Sequence, residues 1–289
     1  MSVMLVDAAT LYYRAFYALP ASLADRQGRP HNAIRGFFDG LRTLRDAHSP
    51  AQIVACWDDD WRPQWRVDLV PSYKTHRLAD EGDELVPDEL SPQVEVIAEA
   101  CQALGIPVVG QPEMEADDVI AALALNSTEP VDIVSGDRDL IQLVNDAAQR
   151  RLLYLGTGVG AHTIIDDAYV LAKYGIRSDQ YADFATLRGD PSDGIPGARG
   201  IGEKTAAALL TAFGDIDGII AAAEQALPPL TKAKAARLLE DAASLRAMRR
   251  VVALRPATIS IPDTLPDLAK AEAIFGEVNL SSVLKRWIG

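Results

Sequence analysis

The sequence predicts an α/β protein: a mainly parallel central sheet flanked by helices, followed by a helical C-terminal region. Three observations carry that prediction. Up to about residue 165, short apolar runs that stop at a polar residue alternate with stretches of helical spacing. Beyond that point the strand-like runs cease and helices succeed one another. The composition, 48% hydrophobic and 24% charged over 289 residues, is that of an ordinary globular chain able to bury a large core.

The elements follow in order. Val3–Val6 (VMLV) reads as a buried strand stopping at Asp7. Asn32–Arg45 has helical spacing, with Ile34, Phe37, Phe38, Leu41 and Leu44 as its apolar stripe. Ile53–Trp57 is a second strand, stopping at Asp58. An irregular stretch from Trp61 to Pro92 carries Pro63, Pro71, Pro87 and Pro92 among mixed charges. Gln93–Leu104 is helical, Ile106–Val109 a third strand, and Ala116–Leu125 a helix with Asp117 and Asp118 in its first turn. Val131–Ser135 is a fourth strand, followed by Gly136, Asp137 and a helix running to Val144. Leu152–Leu155 is a fifth strand. Helices are then expected at Asp167–Tyr174, Gln180–Leu187, Glu203–Phe213, Asp215–Ala226 and Lys232–Val252. Residues after about 255 match no assignable pattern.

No apolar run approaches the roughly 20 residues of a membrane span, and the N-terminus has no basic segment before its apolar stretch. Cys56 and Cys101 lie in apolar surroundings without CxxC spacing, as reduced thiols do. Together these features predict a cytoplasmic protein with no membrane partner. The net charge is −13, from 41 acidic and 28 basic residues. Taken alone, that disfavours a polyanionic partner.

Nine of those acids, however, fall into clusters: Asp7; Asp58; Glu115, Asp117 and Asp118; Asp137 and Asp139; Asp190 and Asp193. In open α/β sheets, ligand sites lie beyond the carboxyl ends of the strands. Asp7, Asp58 and Asp137 each follow a strand, and the Glu115 cluster precedes a helix one short loop after the third, so four strand ends deliver acids to one edge. Asp117, Asp118 and Asp139 could singly be helix caps; the joint pattern of EADD, SGDRD and GDPSDG calls for more. Gathered carboxylates need cations, and oxygen ligands suit magnesium or manganese. Two ions about 3.5–4 Å apart are the arrangement used in phosphodiester hydrolysis. The four histidines have no metal-type spacing.

The stretch Gly194–Thr205 (GIPGARGIGEKT) is the second signal. Gly197, Gly200 and Gly202 permit a tight turn and close backbone approach. The helix that follows offers free N–H groups beside Lys204, a nest for phosphate that reads no base. A purely structural helix–hairpin–helix turn would share the glycines; a nucleotide P-loop would not fit the spacing. Arg14, Arg62, Arg66, Lys74 and Arg77, interleaved with Tyr12, Tyr13, Trp61, Trp65 and Tyr73, could hold phosphates and stack unpaired bases.

These residues match a family. LVDAATLYYRAFYALP, ACWDDDWRPQWRVDLVPSYKTHR, EMEADDVIAALA, IVSGDRDLIQLV and LRGDPSDGIPGARGIGEKTAAALL resemble the 5′-nucleases: flap endonucleases, phage 5′–3′ exonucleases and the N-terminal nuclease domain of bacterial DNA polymerase I. The match runs through residues 1–260 in order. The resemblance implies a PIN-like or Rossmann-like catalytic domain over residues 1–165 and a helical DNA-binding region over 166–289, with a helix–three-turn–helix at about 180–213. It implies a metal-dependent nuclease of replication or repair, acting as 5′–3′ exonuclease and 5′-flap endonuclease. The nine acids would hold two or more Mg²⁺ or Mn²⁺ ions, and Arg14, Lys74 and Arg77 would contact the scissile phosphate.

Gly197, Gly200, Ile201, Gly202, Lys204, Thr205 and Tyr73 would bind DNA at 5′ flaps, nicks and overhangs, with RNA–DNA hybrids as further substrates. In that family the hairpin often holds potassium. Residues 61–92 would form an arch through which a 5′ single strand threads, although Leu78–Leu90 (LADEGDELVPDEL) is acidic for such a passage. The resemblance is to a stand-alone, monomeric enzyme, since no polymerase domain follows. Two rivals are a ribonuclease of the related acidic-pocket fold, which would lack the hairpin, and a branched-DNA-binding protein without turnover.

Overall fold

The computed structural model describes residues 2–79 and 84–289. Residues 80–83, the acidic centre of the expected arch, lie outside them. In chain order the strands and α-helices are β1 (Val3–Asp7), α1 (Ala8–Ala18), α2 (Asn32–His48), β2 (Gln52–Cys56), α3 (Gln64–Leu69), α4 (Ser91–Ala103), β3 (Val108–Val109), α5 (Ala116–Asn126), β4 (Val131–Ser135), β5 (Arg150–Tyr154) and β6 (Thr163–Ile165). Then come α6 (Asp167–Tyr174), α7 (Tyr181–Arg188), α8 (Glu203–Phe213), α9 (Ile216–Glu224), α10 (Lys232–Glu240), α11 (Ala242–Val252), α12 (Leu268–Glu277) and α13 (Ser281–Ile288).

The sheet order is β3-β2-β1-β4-β5-β6, parallel except for β6 against β5. β1 pairs with β2 on one side and with β4 on the other, so strand order reverses there and a crevice opens beyond their carboxyl ends. Because side chains alternate along a strand, β1 feeds two cores. Met4 and Val6 join α1, α2 and α4 on one face, through Leu11, Ile34, Phe37, Phe38, Leu41 and Ile97. Leu5 points to the other face, toward Val119 and Ile120 of α5. That second core continues without a break into the helical region, through Tyr181, Phe184, Leu209, Ile219, Leu238 and Met248.

Several elements differ from the sequence reading. α1 was hidden because its fully buried residues are few (Ala8, Leu11, Ala15), while Tyr12, Tyr13 and Phe16 are half-buried and Tyr17 exposed; Asp7 caps it by accepting from the Thr10 N–H at 3.0 Å. The helix expected to reach Val144 is a 3₁₀ turn over Asp139–Leu143. The stretch from Trp61 is not wholly irregular: it holds α3 and a 3₁₀ turn at Thr75–Arg77. The third strand is shorter, Val108–Val109 rather than Ile106–Val109. The expected helix Lys232–Val252 breaks between α10 and α11 at Asp241, whose carboxylate is forked by Arg199 at 3.0 and 2.9 Å. β6, an edge strand of three residues, is too short to show alternation.

The tail beyond residue 255 is ordered. It runs as an extended strap, pinned where the Asn126 amide donates to Ala257 O and the Asp267 N–H to Ala103 O, into α12 and α13. These helices do not extend the helical region. Phe275 packs edge-on to Phe38 at 5.0 Å, and Arg45 of α2 lies 4.3 Å over the Trp287 ring while donating to its carbonyl. Among the described residues no single helix is long and apolar enough to cross a membrane.

The packing of α12 sets a first prediction. Phe275 is 1% exposed, so Phe275→Ala should lower unfolding free energy by about 3–5 kcal/mol in urea titrations. A loss under about 1 kcal/mol would mean that the C-terminal helices are not docked as described.

Candidate active site

The crevice at the strand reversal is a cleft of about 940 Å³. Asp7, Asp58, Glu115, Asp117, Asp137 and Asp190 line it, with Arg14, Lys74 and Arg77. Asp7 closes β1, and its carboxylate is fixed by the hydroxyls of Thr10 and Ser135, the latter at 2.6 Å. Asp58 lies just past β2 and accepts from the Ala116 N–H at 2.8 Å, tying the β2 end to the start of α5. Asp137 follows β4 and Gly136, and accepts from the Asp139 N–H at 2.8 Å. Asp139 and Asp193 sit in a smaller recess behind, shared with Glu115 and Asp117.

Asp190 and Asp193 reach the cleft from the loop between α7 and α8. Asp190 and Ile195 exchange backbone hydrogen bonds, which folds the loop back on itself. Gly194, at φ +70°, brings that loop against the segment before Lys74: Ser72 donates to its carbonyl at 2.7 Å, and a Cβ there would lie 2.1 Å from Ser72 O. The Lys74 N–H donates to Asp193 O, and Arg77 reaches Asp193 at 3.5 Å. Two stretches over a hundred residues apart are thereby joined at the rim.

Electrostatics follow from crowding. Burial, then repulsion by Asp137, Asp7 and Glu115, pushes the Asp117 carboxyl well above the usual carboxylate range. Burial and the Asp137, Asp193 and Asp190 charges do the same to Asp139. Asp137 and Asp193 are also raised, burial again leading, and Asp58 is pushed up to about 6. Burial would lower the Lys74 ammonium, but Glu115 and Asp193 outweigh it and the net shift is upward. Among the described residues no three acids, as arranged, close on a single point that could hold an ion; they ring the cleft, several held by their own donors. The donors are all oxygen and the crowded acids lack enough countercharge, which is the chemistry of a hard divalent cation.

Three expected site residues are placed otherwise. Asp118 does not line the cleft: both its oxygens are taken by Arg66, at 2.7 Å each. Tyr73 cannot stack on a base as it stands, being 4% exposed with its hydroxyl donating to Glu115 at 2.7 Å. Ile201 is buried at 5% and anchors the hairpin rather than facing outward. The rest of the hairpin is open: Gly200, Gly202 and Lys204 are exposed, Thr205 and Gly197 half-buried, and Gly202 caps α8 with no side chain covering its first N–H groups. Arg66, named above among cations that could hold phosphates, is 3% exposed. Tyr17 of α1, 72% exposed at the cleft, was missed because α1 was.

Acids that call for a cation beside walls that attract a polyanion suit chemistry on a phosphodiester, as in a nuclease. Comparison with known proteins gives the family. Residues 2–175 match the model of the 5′-3′ exonuclease N-terminal resolvase-like domain, and residues 176–273 that of the 5′-3′ exonuclease C-terminal SAM fold. A 5′-3′ exonuclease of Streptomyces coelicolor is 48% identical, with 98% of each chain covered. One from Mycobacterium tuberculosis is 44% identical over 92% of this chain and 89% of its own. DNA polymerase I of Mycobacterium bovis is 41% identical over 76% of this chain but 24% of its own length. In fold, the chain is similar to a T5 5′-exonuclease with bound divalent metal ions (zinc), at a TM-score of 0.70 and 18% identity over 99% and 98% of the two chains. The catalytic core of Rad2 in complex with DNA substrate is similar at 0.64 and 16%, over 99% and 92%. The chain belongs to the 5′-3′ exonuclease family.

The crowding has a measurable sign. Carboxyls raised above their unfolded value of 3.8 bind protons more tightly when folded, so they stabilise at low pH and that stability is lost as pH rises through the folded values, about 6 for Asp58. In chelator, Tm should therefore rise as pH falls from 7.5 to 5.5, and Asp137→Asn should raise the pH 7.5 Tm by about 2–4 °C, the shift brought by ~1 kcal/mol. Melting curves that fall over that interval would contradict the crowded arrangement.

Proposed function

We propose that this enzyme is a structure-specific nuclease of DNA replication and repair, cleaving 5′ ends and 5′ flaps with Mg²⁺ or Mn²⁺. The observation that carries this reading is the meeting of acids from separate strand ends in one cleft walled by Arg14, Lys74 and Arg77. Asp7, Asp58, Glu115, Asp117, Asp137, Asp139, Asp190 and Asp193 would hold the ions. When bound, a divalent ion supplies acidity to an attacking water and positive charge to the phosphate. That relatives named 5′-3′ exonuclease match nearly the full chain, and that a fold neighbour binds divalent metal ions, supports the assignment.

The chain's own residues do the rest. Arg14 Nε is buried without a hydrogen-bond partner, a donor free for a phosphate oxygen. Lys74, itself held by Glu115, and Arg77, at the rim, flank the same path. Tyr12 and Tyr13, packed at 5.1 Å, line the same cleft and can bound an unpaired nucleotide. Lys204 and the uncapped start of α8 would grip duplex phosphates without reading bases, with potassium at the hairpin as a finer part of the proposal. Residues 61–92 would pass the 5′ strand, and the region up to about residue 165 would be the catalytic unit. Since every acid of the cleft comes from one chain, we infer a monomer, acting in the cytoplasm.

Three mutations test the reading. Asp137→Asn or Asp190→Asn should abolish cleavage of a labelled 5′-flap substrate in Mg²⁺ or Mn²⁺ while DNA affinity stays near wild type; full activity in either would remove that acid from the site. Lys204→Ala should weaken binding to duplex-bearing substrates and reduce the slope of log K against log salt by about one. Running flap, nicked, overhanging, single-stranded and RNA–DNA hybrid substrates side by side separates the nuclease from a binder without turnover, which would leave every one intact.

A further inference from the structure

We propose that Arg66 is a positioning residue of the cleft: its buried guanidinium locks Glu115 and Asp118 and so determines which oxygens of that acid cluster remain for a cation. The proposal rests on the metal-dependent reading above.

Arg66 does not line the cleft and cannot meet a phosphate there. All three of its nitrogens are engaged within the protein. Nη1 and Nη2 donate to the two oxygens of Asp118 at 2.7 Å each, Nη1 also to Glu115 Oε1 at 3.0 Å, and Nε to Val251 O at 3.2 Å. The guanidinium carbon lies 4.6 Å from the centre of the Trp65 ring, which covers it. Both Asp118 oxygens are paired with Arg66 and Asp118 does not line the cleft, which sets it apart from the acids that do. Glu115 is more finely set: Oε1 takes Arg66 and the Tyr73 hydroxyl, which do not line the cleft, whereas Oε2 pairs with Lys74, which does.

Only a planar fork can do this. Glu115 and Asp118 are buried to 5% and 8% exposure one helical turn apart, where two uncompensated carboxylates would repel. A lysine ammonium in the same place is a point charge that cannot span Asp118 and reach Glu115 and Val251 together. Val251 belongs to the buried stripe of α11, so the same side chain ties the acids at the start of α5 to the helical region. Groups that orient metal ligands in this way typically change metal affinity 10–100-fold when removed.

The experiment is calorimetric titration of Mn²⁺ into metal-free wild type, Arg66→Lys, Arg66→Gln, Glu115→Gln and the double variant R66K/E115Q, with Tm and duplex affinity in chelator measured beside it. Arg66→Lys should weaken Mn²⁺ binding about tenfold while duplex affinity in chelator stays within about twofold. Combined with Glu115→Gln, it should add almost nothing to the loss that Glu115→Gln causes alone, because both changes disable one device. A role in stability alone would lower Tm and leave the Mn²⁺ midpoint unmoved, and that result overturns the proposal, as would additive losses. Should Arg66→Gln fail to fold, Arg66→Lys carries the comparison. Wild type that neither binds Mn²⁺ nor cuts a flap would defeat the nuclease reading itself; wild type that does both, with Arg66→Lys indistinguishable from it, defeats only this inference.

Discussion

Carboxylates buried side by side repel, and the architecture of this chain is organised around offsetting that repulsion. Burying a charge in a low-dielectric interior is tolerable only when it is paired or hydrogen-bonded. The protein meets part of the demand itself. Arg66 neutralises Asp118, Lys74 sits on Glu115, Arg77 faces Asp193, and hydroxyls or backbone N–H groups hold Asp7, Asp58, Asp137 and Asp190. What is left over bears most on Asp117 and Asp139, whose carboxyls burial and neighbouring acids push well above the usual range despite Lys74 and Arg188 nearby. On the proposed reading, a divalent ion would enter a site already balanced at its edges and short of positive charge at its centre.

That balance depends on the two-sided core. The strands carrying Asp7, Asp58 and Asp137 are packed on both faces, so their ends are held rigidly enough to keep like charges near each other. Met4 and Val6 on one side, and Leu5 on the other, are each no more than 1% exposed. A preorganised site of this kind holds charge where the transition state needs it, without reorganising at the moment of reaction.

Much of this was legible in the sequence because two periodicities and one topological rule suffice for it. The strand ends at Asp7, Asp58 and Asp137 are marked by where apolar runs stop, and the rule for parallel sheets puts them on one edge. What was not legible depends on partners distant in the chain. Tyr73 and Arg66 look like surface aromatics and cations beside prolines; only the fold shows that they bury themselves against Glu115 and Asp118, some forty to fifty residues on. Asp118 reads like Asp117, its neighbour, yet a helix turns successive residues about 100° apart and sends the two to different surroundings. α12 and α13 escaped because their apolar faces make sense only against Phe38 and Arg45 of α2.

The wide spacing of the cleft's residues has a consequence for synthesis. Domains form as chains emerge from the ribosome, N-terminal parts first. Here Asp190 and Asp193, whose loop docks on Ser72 and Lys74, are made more than 180 residues after Asp7. The sheet can assemble long before then, but its carboxyl edge is incomplete until that loop arrives. A nascent fragment lacking that loop would thus present an acidic edge without its full set of acids, and the cleft would be complete only once the loop has docked.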